Sequence, residues 1–335
     1  MTTANNNIVK PKVWQMIGKA ISKNATSAEA IQEAGLAFDV LKRPNIHPLP
    51  SGVKIVSDNS YFTFRTDTEA VLGDKIGRDY EVVQNTQAFD FFDSIAGGKN
   101  PIQYETAGAL GYGETIFVTA KLPGQIRVGR DDLIDNYLFL TSTHDGSGCI
   151  TIAFTPVRIW CSNTLNAALK NCTNAIRIRH TASAEEKLKS AHQMLGLSDQ
   201  LTMELEAIFN RWTRVRITDP QVKRLIQLAM IPNKETYQKL KTGKDEDLSS
   251  HYNNMVSSAF DFAMTAESQQ ERTAKGTLFG AYNSISGYFQ NVRSFKDEES
   301  KFKSIMYGTG SQRGQTAFEL CTDFAKHGND ALILN

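Results

Sequence analysis

The sequence has few cysteines, no long apolar run and no standard catalytic motif, and each absence narrows what the protein can be. Only four of its 335 residues are cysteine, and no two form a C-x-x-C pair. This pattern favours buried reduced thiols over a disulfide framework or a zinc site. No apolar run approaches the ~18 residues of a membrane span, and the first residues lack the apolar region of a secretory signal. We therefore expect a cytoplasmic protein.

The common signatures of enzymes are also missing. No phosphate-binding G-x-x-x-x-G-K-[ST] loop occurs in the sequence. Residues 307–314 are rich in glycine, but they are not followed by Lys-Ser or Lys-Thr. There is no G-x-S-x-G elbow and no H-E-x-x-H motif. We expect no enzymatic activity and no cofactor. A metal-dependent nuclease built from His144, Asp145 and scattered carboxylates stays open, with Mg²⁺ as its cofactor, because such sites have weak local signatures.

Composition predicts a globular protein whose overall charge is uninformative. Apolar residues make up 41% of the chain, while 37 Lys and Arg nearly balance 36 Asp and Glu. Apolar residues recur with a period of two in the first half and of about 3.6 from residue 183 onward. A half patterned as strands followed by a half patterned as helices predicts an α+β fold. We expect a β-rich core at residues 1–182 and a helical region at residues 183–335 that packs on it and serves in oligomerisation.

Local signals predict individual elements. Thr26 and Glu29 form a capping-box pattern before a helix at residues 27–34. Further expected elements are a β-hairpin at 53–65 turning at 57–60, strands at 79–83, 103–110, 114–122, 137–143 and 149–155, and helices that begin near 85, 183, 218, 248, 270 and 315. The segment 307–314 is expected to be a loop.

The most informative stretch is residues 137–180. Between Gly146 and Ala184 there is no Asp or Glu, a segment that we call the acid-free window. Its basic residues are Arg158, Lys170, Arg177, Arg179 and His180. In a chain whose charges otherwise balance, this distribution favours a surface for a polyanion, and single-stranded DNA is the leading candidate.

Two strands in this stretch are joined by His144-Asp145-Gly146-Ser147-Gly148. Asp and Gly suit a tight or bulged hairpin turn. The turn alone explains these residues, and the alternative is that an exposed His144 and Asp145 contact a ligand or a metal. Pro156 is expected to end or bulge the second strand.

Beyond the hairpin, Arg158 and Trp160 are expected to share one face of an extended strand, with the arginine on phosphate and the indole stacked on a base. The alternative for Trp160 is burial between the sheet and a helix. Asn163 can cap a helix at residues 164–170, whose free N–H groups and Lys170 would favour an anion.

The returning strand places Arg177 and Arg179 on one side, followed by His180. A solvated edge strand explains the two arginines nearly as well, but no acidic residue in the window can pair with them. A second set of basic and aromatic residues surrounds Arg313, where neighbouring glycines would allow close approach to a phosphate.

Four motifs suggest a family. S-T-H-D-G-S-G at 142–148, V-R-I-W-C-S-N-T-L at 157–165, I-R-H-T at 178–181 and G-T-L-F-G-A-Y-N at 276–283 resemble the phage/plasmid-like proteins of domain-of-unknown-function family 932. The resemblance implies DNA metabolism in a bacterial host cell. The expected β-β-β-α order, from residue 114 to residue 170, is similar to the core of single-strand annealing recombinases of the Red-beta and RecT-like superfamily.

The sequence thus predicts an ATP-independent, homo-oligomeric protein that binds and anneals single-stranded DNA in phage or plasmid recombination. The predicted DNA-binding residues are Arg158, Trp160, Asn163, Lys170, Arg177, Arg179, His180, His144 and Arg313. Two alternatives are an interaction or anti-defence protein that binds a host protein, and the metal-dependent nuclease.

Overall fold

The computed structural model describes residues 11–96, 103–158, 163–164, 175–190 and 194–334, and within these ranges the fold is α+β. The strands are β1 (Lys19–Ala20), β2 (Val40–Pro48), β3 (Lys54–Arg65), β4 (Val71–Ile76), β5 (Gln103–Leu110), β6 (Thr115–Val128), β7 (Asp132–Thr143), β8 (Ile150–Arg158), β9 (Asn163–Thr164) and β10 (Ala175–Ile178). The helices are α1 (Ser27–Ala34), α2 (Asn85–Ala96), α3 (Ala184–Ser190), α4 (Met194–Trp212), α5 (Asp219–Ala229), α6 (Lys234–Lys241), α7 (Ser250–Thr265), α8 (Leu278–Gly287), α9 (Glu298–Met306) and α10 (Thr309–His327).

The larger sheet is an antiparallel meander in the order β1-β5-β6-β7-β8-β10, and β9 also pairs with β8. The strands expected at 103–110, 114–122, 137–143 and 149–155 are confirmed, and β6, β7 and β8 are longer than expected. Thr164, predicted to start a helix, instead lies in β9 opposite Val157. Residues 165–170 of that predicted helix lie outside the described residues.

Pro156 lies inside β8 and does not end it. It is paired with Asn136 of β7, and the ladder continues to Arg158 opposite Ile134. On the other side of β8, residues 150–153 pair with β10 and residues 157–158 pair with β9. Proline has no N–H, so it is tolerated in a strand where no neighbour needs that donor. Pro156 occupies the gap between these two partners.

A second sheet, in the order β2-β3-β4, corrects the predicted hairpin at 53–65. Residues 57–60 are not its turn, because β3 runs through them as a bulge between the pairs Ile46–Val56 and Pro44–Tyr61. The Ser57 hydroxyl accepts a hydrogen bond from the Ser60 N–H at 3.0 Å, so the turn-forming side chains are satisfied inside the bulge. The predicted strand at 79–83 is also wrong, because the strand of this region is β4.

The first helix forms as its sequence predicts. The Thr26 hydroxyl accepts from the Glu29 N–H, and the Glu29 carboxylate accepts from the Thr26 N–H at 2.8 Å. Gly35 ends α1 in the left-handed conformation with φ of 72°. Both ends of α1 are therefore determined locally.

In the second half, two helix starts differ from expectation. The helix expected from 315 begins at Thr309, because Gly310 and Gly314 are buried inside α10. A Cβ at Gly310 would lie 3.0 Å from the Ser304 carbonyl oxygen, so this glycine allows close packing instead of forming a loop. The helix expected from 270 begins at Leu278, after Thr277 accepts a hydrogen bond from the Gly280 N–H. Helices α6 and α9 were not predicted.

The helical half packs directly on the larger sheet. The Phe302 ring of α9 lies 4.9 Å from Phe117 and 5.8 Å from Phe139 on one face of the sheet. The Glu206 carboxylate of α4 accepts the Arg127 N–H of β6 at 2.8 Å. One apolar core therefore includes buried residues from both halves. Of the helices described, none has the length and apolarity needed to cross a membrane.

Candidate nucleic-acid interface

The tip of the β7–β8 hairpin is fixed by turn chemistry and by close packing on β4. Asp145 Oδ1 accepts hydrogen bonds from the N–H and the hydroxyl of Ser147, at 2.9 and 2.7 Å. Gly146 has φ of 74°, and a Cβ at Gly73 would lie 2.6 Å from Asp145 Cα. The turn hypothesis therefore accounts for Asp145 and Gly146.

His144 points into the protein from this tip and is fully buried. Its Nε2 lies 2.9 Å from Asn85 Oδ1. The Asn85 amide nitrogen donates to the Leu36 carbonyl at 2.9 Å, so its oxygen must be the acceptor and His144 Nε2 must carry a proton. Burial and, to a smaller extent, the nearby His180 lower the pKa of His144 to about 3, against the opposing effect of Asp145.

His180 is the second buried histidine of what we call the histidine cluster, which consists of Tyr80, Asn85, His144 and His180. Its ring stacks on Tyr80 with centroids 4.8 Å apart. The Tyr80 hydroxyl donates to the Thr143 carbonyl at 2.8 Å, and burial raises the pKa of Tyr80. Burial lowers the pKa of His180 to about 4. Both imidazoles are therefore neutral at pH 7.

These positions correct two predictions. His144, just before the acid-free window, and His180, near its end, are interior side chains, and neither presents a cation to DNA in this structure. His144 Nδ1 and both ring nitrogens of His180 are buried without a hydrogen-bond partner in the part of the chain that the structure describes. The described ranges also contain no group of three or more His, Cys, Asp or Glu that could hold a metal ion.

Arg158 is also buried, with no exposed side-chain surface, and it faces a carboxylate. Its Nε and Nη2 lie 2.8 and 2.5 Å from the two oxygens of Asp132, and its Nη1 donates to the Ser268 carbonyl at 3.2 Å. Asp132 also accepts from the Thr273 hydroxyl at 2.7 Å. Arg158 therefore joins the sheet to the helical half, where we had predicted a phosphate contact.

Arg177 and Arg179 are the predicted residues that the structure places at the surface. Both are exposed, and neither has an ion pair with any described residue. Arg177 lies on β10, at the edge of the sheet, opposite Thr151 of β8. The alternation of the two strands puts Thr151, Ala153 and Arg177 on one face, where the first two are half-buried. We call β10 and this face, together with Arg179, the basic edge.

Asn163 and Arg313, the other predicted residues that the structure describes, lie outside the basic edge. Trp160 and Lys170 lie outside the described residues. Asn163 pairs through its backbone with Arg158, beside the basic edge on β8. Arg313 is half-buried on α10, where burial lowers its pKa against the opposing effect of Tyr252. Helix α10 packs on α5, α8 and α9.

Three residues that contribute to these arrangements are not predicted from local sequence. Asn85 was expected only to cap α2, yet its side chain holds His144. Tyr80 was assigned to a strand that does not form. Asp132 lies outside every predicted strand, and the pairing of Ile134 with Arg158 brings it to the guanidinium. Such contacts depend on strand register, which no local motif encodes.

The fold and site define an α+β protein whose central hairpin carries a buried histidine cluster at one end and a buried ion pair at the other. A family model described as "Domain of unknown function (DUF932)" matches residues 74–306, which is more than half of the chain. The protein belongs to this family. No curated protein and no solved structure matches the chain.

Proposed function

We propose that the protein is an ATP-independent, homo-oligomeric single-stranded DNA-binding and annealing protein of phage or plasmid recombination. The observation that carries the proposal is the basic edge, where Arg177 and Arg179 are exposed within a window that has no acidic residue. Unpaired arginines at a surface attract phosphates, and the release of counterions adds to affinity.

The shape of the basic edge supports a backbone contact. Thr151, Ala153 and Ala175 are small, so the sheet beside Arg177 has low relief and a phosphodiester chain can approach it. Cations bound to phosphates offset the repulsion between two DNA strands and leave the base edges free for pairing. Annealing follows from this arrangement without a nucleotide cofactor.

The test is equilibrium binding of labelled oligodeoxythymidine at several salt concentrations. Arg177→Ala with Arg179→Ala should weaken binding, and the slope of log K against log salt should become shallower by about 1.4, because about 0.7 counterions are released per phosphate contact on a single strand. Arg214→Ala with Arg272→Ala is the matched control, since these two exposed arginines lie outside the window. Unchanged affinity in the first double variant would overturn the site.

Two other functions give different results in the same assay. An interaction or anti-defence protein should show no salt-sensitive affinity for single-stranded DNA. A metal-dependent nuclease should cleave it when Mg²⁺ or Mn²⁺ is added and should lose cleavage in His144→Ala. Full burial of His144 disfavours its direct contact with a substrate. Annealing of a labelled complementary strand, measured beside binding, completes the comparison.

A further inference from the structure

Residues 46–56 form a two-stranded arm with unusually apolar exposed faces. They comprise the end of β2, the start of β3 and the turn between them, and every one of these residues is exposed. Five carry large apolar side chains, which are Ile46 (54% exposed), Leu49 (41%), Val53 (56%), Ile55 (49%) and Val56 (58%). A two-stranded hairpin alone is marginally stable in water, so such a surface indicates a binding partner.

The arm presents apolar groups on both faces. Ile46 is paired with Val56 on one face, and His47 is paired with Ile55 on the other. The bulge at 57–60 separates this arm from the part of β3 that pairs with β4. Residues 46–56 therefore form a thin ribbon that a ligand can contact from either side.

The edges of the arm disfavour strand addition by a second copy of the chain. The Leu49 N–H donates to the Val53 carbonyl, so the ladder alternation turns the backbone of Pro48 and Lys54 outward. Proline has no N–H to give to an added strand, and an edge lysine opposes one by its charge. The faces of the arm, not its edges, are its binding surface.

The charge around the arm indicates which kind of ligand it binds. Residues 40–57 contain Lys42, Arg43 and Lys54 and no Asp or Glu, which makes a second acid-free segment. A second copy of a cationic arm would repel the first. Single-stranded nucleic acid offers phosphates for Lys54 of the arm and for the exposed Arg43 near its base, whereas Lys42 is held by the Arg78 and Tyr80 carbonyls. It also offers flat apolar bases between which aliphatic and proline side chains can wedge.

The base of the arm is joined to the histidine cluster. Lys42 Nζ donates to the Arg78 and Tyr80 carbonyls at 2.6 and 2.7 Å, and Tyr80 stacks on His180, next to Arg179. The exposed Asp79 and Glu81 lie beside this connection. The arm and the basic edge are thus two cationic surfaces on connected elements.

We propose that the arm at residues 46–56 is a base-contacting ribbon for single-stranded DNA, whose apolar faces pack against unstacked bases while the basic edge binds the backbone. This inference rests on the proposed function and adds that the arm contacts the bases while the basic edge contacts the phosphates. Loss of apolar arm contacts should lower affinity without changing the salt slope, whereas loss of Arg177 and Arg179 should change both.

The experiment measures binding of labelled 30-nucleotide oligodeoxythymidine by fluorescence anisotropy at four salt concentrations. The variant is Ile46→Ser, Ile55→Ser, Val56→Ser, and its control is Met203→Ser with Ile333→Ser, which removes exposed apolar groups elsewhere. Circular dichroism melting verifies that each variant folds. We expect at least a tenfold loss of affinity with an unchanged slope in the arm variant, and wild-type affinity in the control.

Each other outcome overturns either both the proposed function and the arm proposal or the arm proposal alone. If the wild-type protein does not bind the oligonucleotide, the proposed function and the arm both fail. If it binds through Arg177 and Arg179 and the arm variant binds equally well, only the arm fails. Two further outcomes would also overturn the arm assignment, both with DNA affinity intact in the arm variant. In the first, the substitutions abolish flotation with anionic phosphatidylglycerol vesicles. In the second, they reduce the mass of the DNA-free protein in light scattering.

Discussion

Arg158 and Arg177 lie on neighbouring strands of one sheet and within one acid-free window, yet their surroundings are opposite. Arg158 has no exposed side-chain surface and is held by both oxygens of Asp132. Arg177 is exposed on β10 and has no ion pair with a described residue. The difference arises because β7 places Asp132 beside Arg158, whereas β10 is the last strand of the sheet among the described residues.

The contrast teaches that a local lack of acidic residues does not decide whether an arginine is free. Asp132 lies 26 positions before Arg158 in the sequence and outside the window. A buried cation must be paired, since an isolated charge in the interior is strongly destabilising. An edge position imposes no such requirement.

The largest effect is expected for Asp132→Ala, which leaves the guanidinium of Arg158 buried without its carboxylate. Removing one partner of a buried pair lowers the free energy of unfolding by about 3–5 kcal/mol. Urea unfolding at pH 7 measures this change. Asp79→Ala, at an exposed loop position, should change stability by less than about 0.5 kcal/mol. Equal values for the two variants would refute the structural role of the pair.

Thr273→Val, at the same end of the sheet, should lower the free energy of unfolding by less than Asp132→Ala does. Its hydroxyl donates to Asp132 at 2.7 Å, and a hydrogen bond to a charged group contributes about 1.5–3 kcal/mol. The loss of stability should nearly vanish when Asp132 is already replaced, which a double-mutant cycle measures. Thr265→Val is the control, because the Thr265 hydroxyl donates only to a carbonyl of its own helix.

The histidine cluster should make stability fall in acid. His144 and His180 are neutral when folded, with pKa values lowered to about 3 and about 4, whereas the unfolded chain binds protons near pH 6.5. Stability is therefore complete above about pH 6.5 and is lost as the pH falls toward 4, by about 1.4 kcal/mol per pH unit for each histidine.

Urea midpoints between pH 7.5 and 4.5 measure this loss. The decline should be shallower in His144→Asn, which removes one of the two titrating groups. His47→Asn changes an exposed histidine of the arm and should leave the slope as in the wild type. A wild-type midpoint that does not fall between pH 6.5 and 4.5 would contradict burial of the pair.

The smallest effect on stability is expected at Arg177. Arg177→Ala should change the free energy of unfolding by less than about 0.5 kcal/mol, since its side chain is exposed and unpaired among the described residues. The same variant should weaken binding of single-stranded DNA if the proposed function holds. A stability loss comparable with that of Asp132→Ala would show that Arg177 has a structural partner.

Local chemistry allowed much of the fold to be predicted. The capping box of Thr26 and Glu29 and the glycine after α1 determine that helix by short-range hydrogen bonds, and the α+β order followed from the change in apolar period. The same local rules misplaced the turn at 57–60, because serine and asparagine satisfy a bulge as well as a hairpin turn. Long-range pairing of β2 with β3 decided between the two.

The candidate site was less predictable for the same reason. Exposure of Arg177 on β10 and of Arg179 just after it agrees with the alternation of exposed and buried residues from 177 to 180, which is a local property. Burial of His144, His180 and Arg158 depends on partners that fold back from distant segments, such as Asn85 and Asp132. The DNA-binding role of the basic edge stays a prediction that binding experiments must decide.

Pro156 has a consequence for the geometry of the acid-free window. Because β8 pairs with β9 on one side of this proline and with β10 on the other, residues 164 and 175 are both fixed to the same strand. Thr164 and Ala175 therefore lie along the same edge of β8. A single residue without an N–H thus marks where one edge of β8 passes from one partner strand to the next.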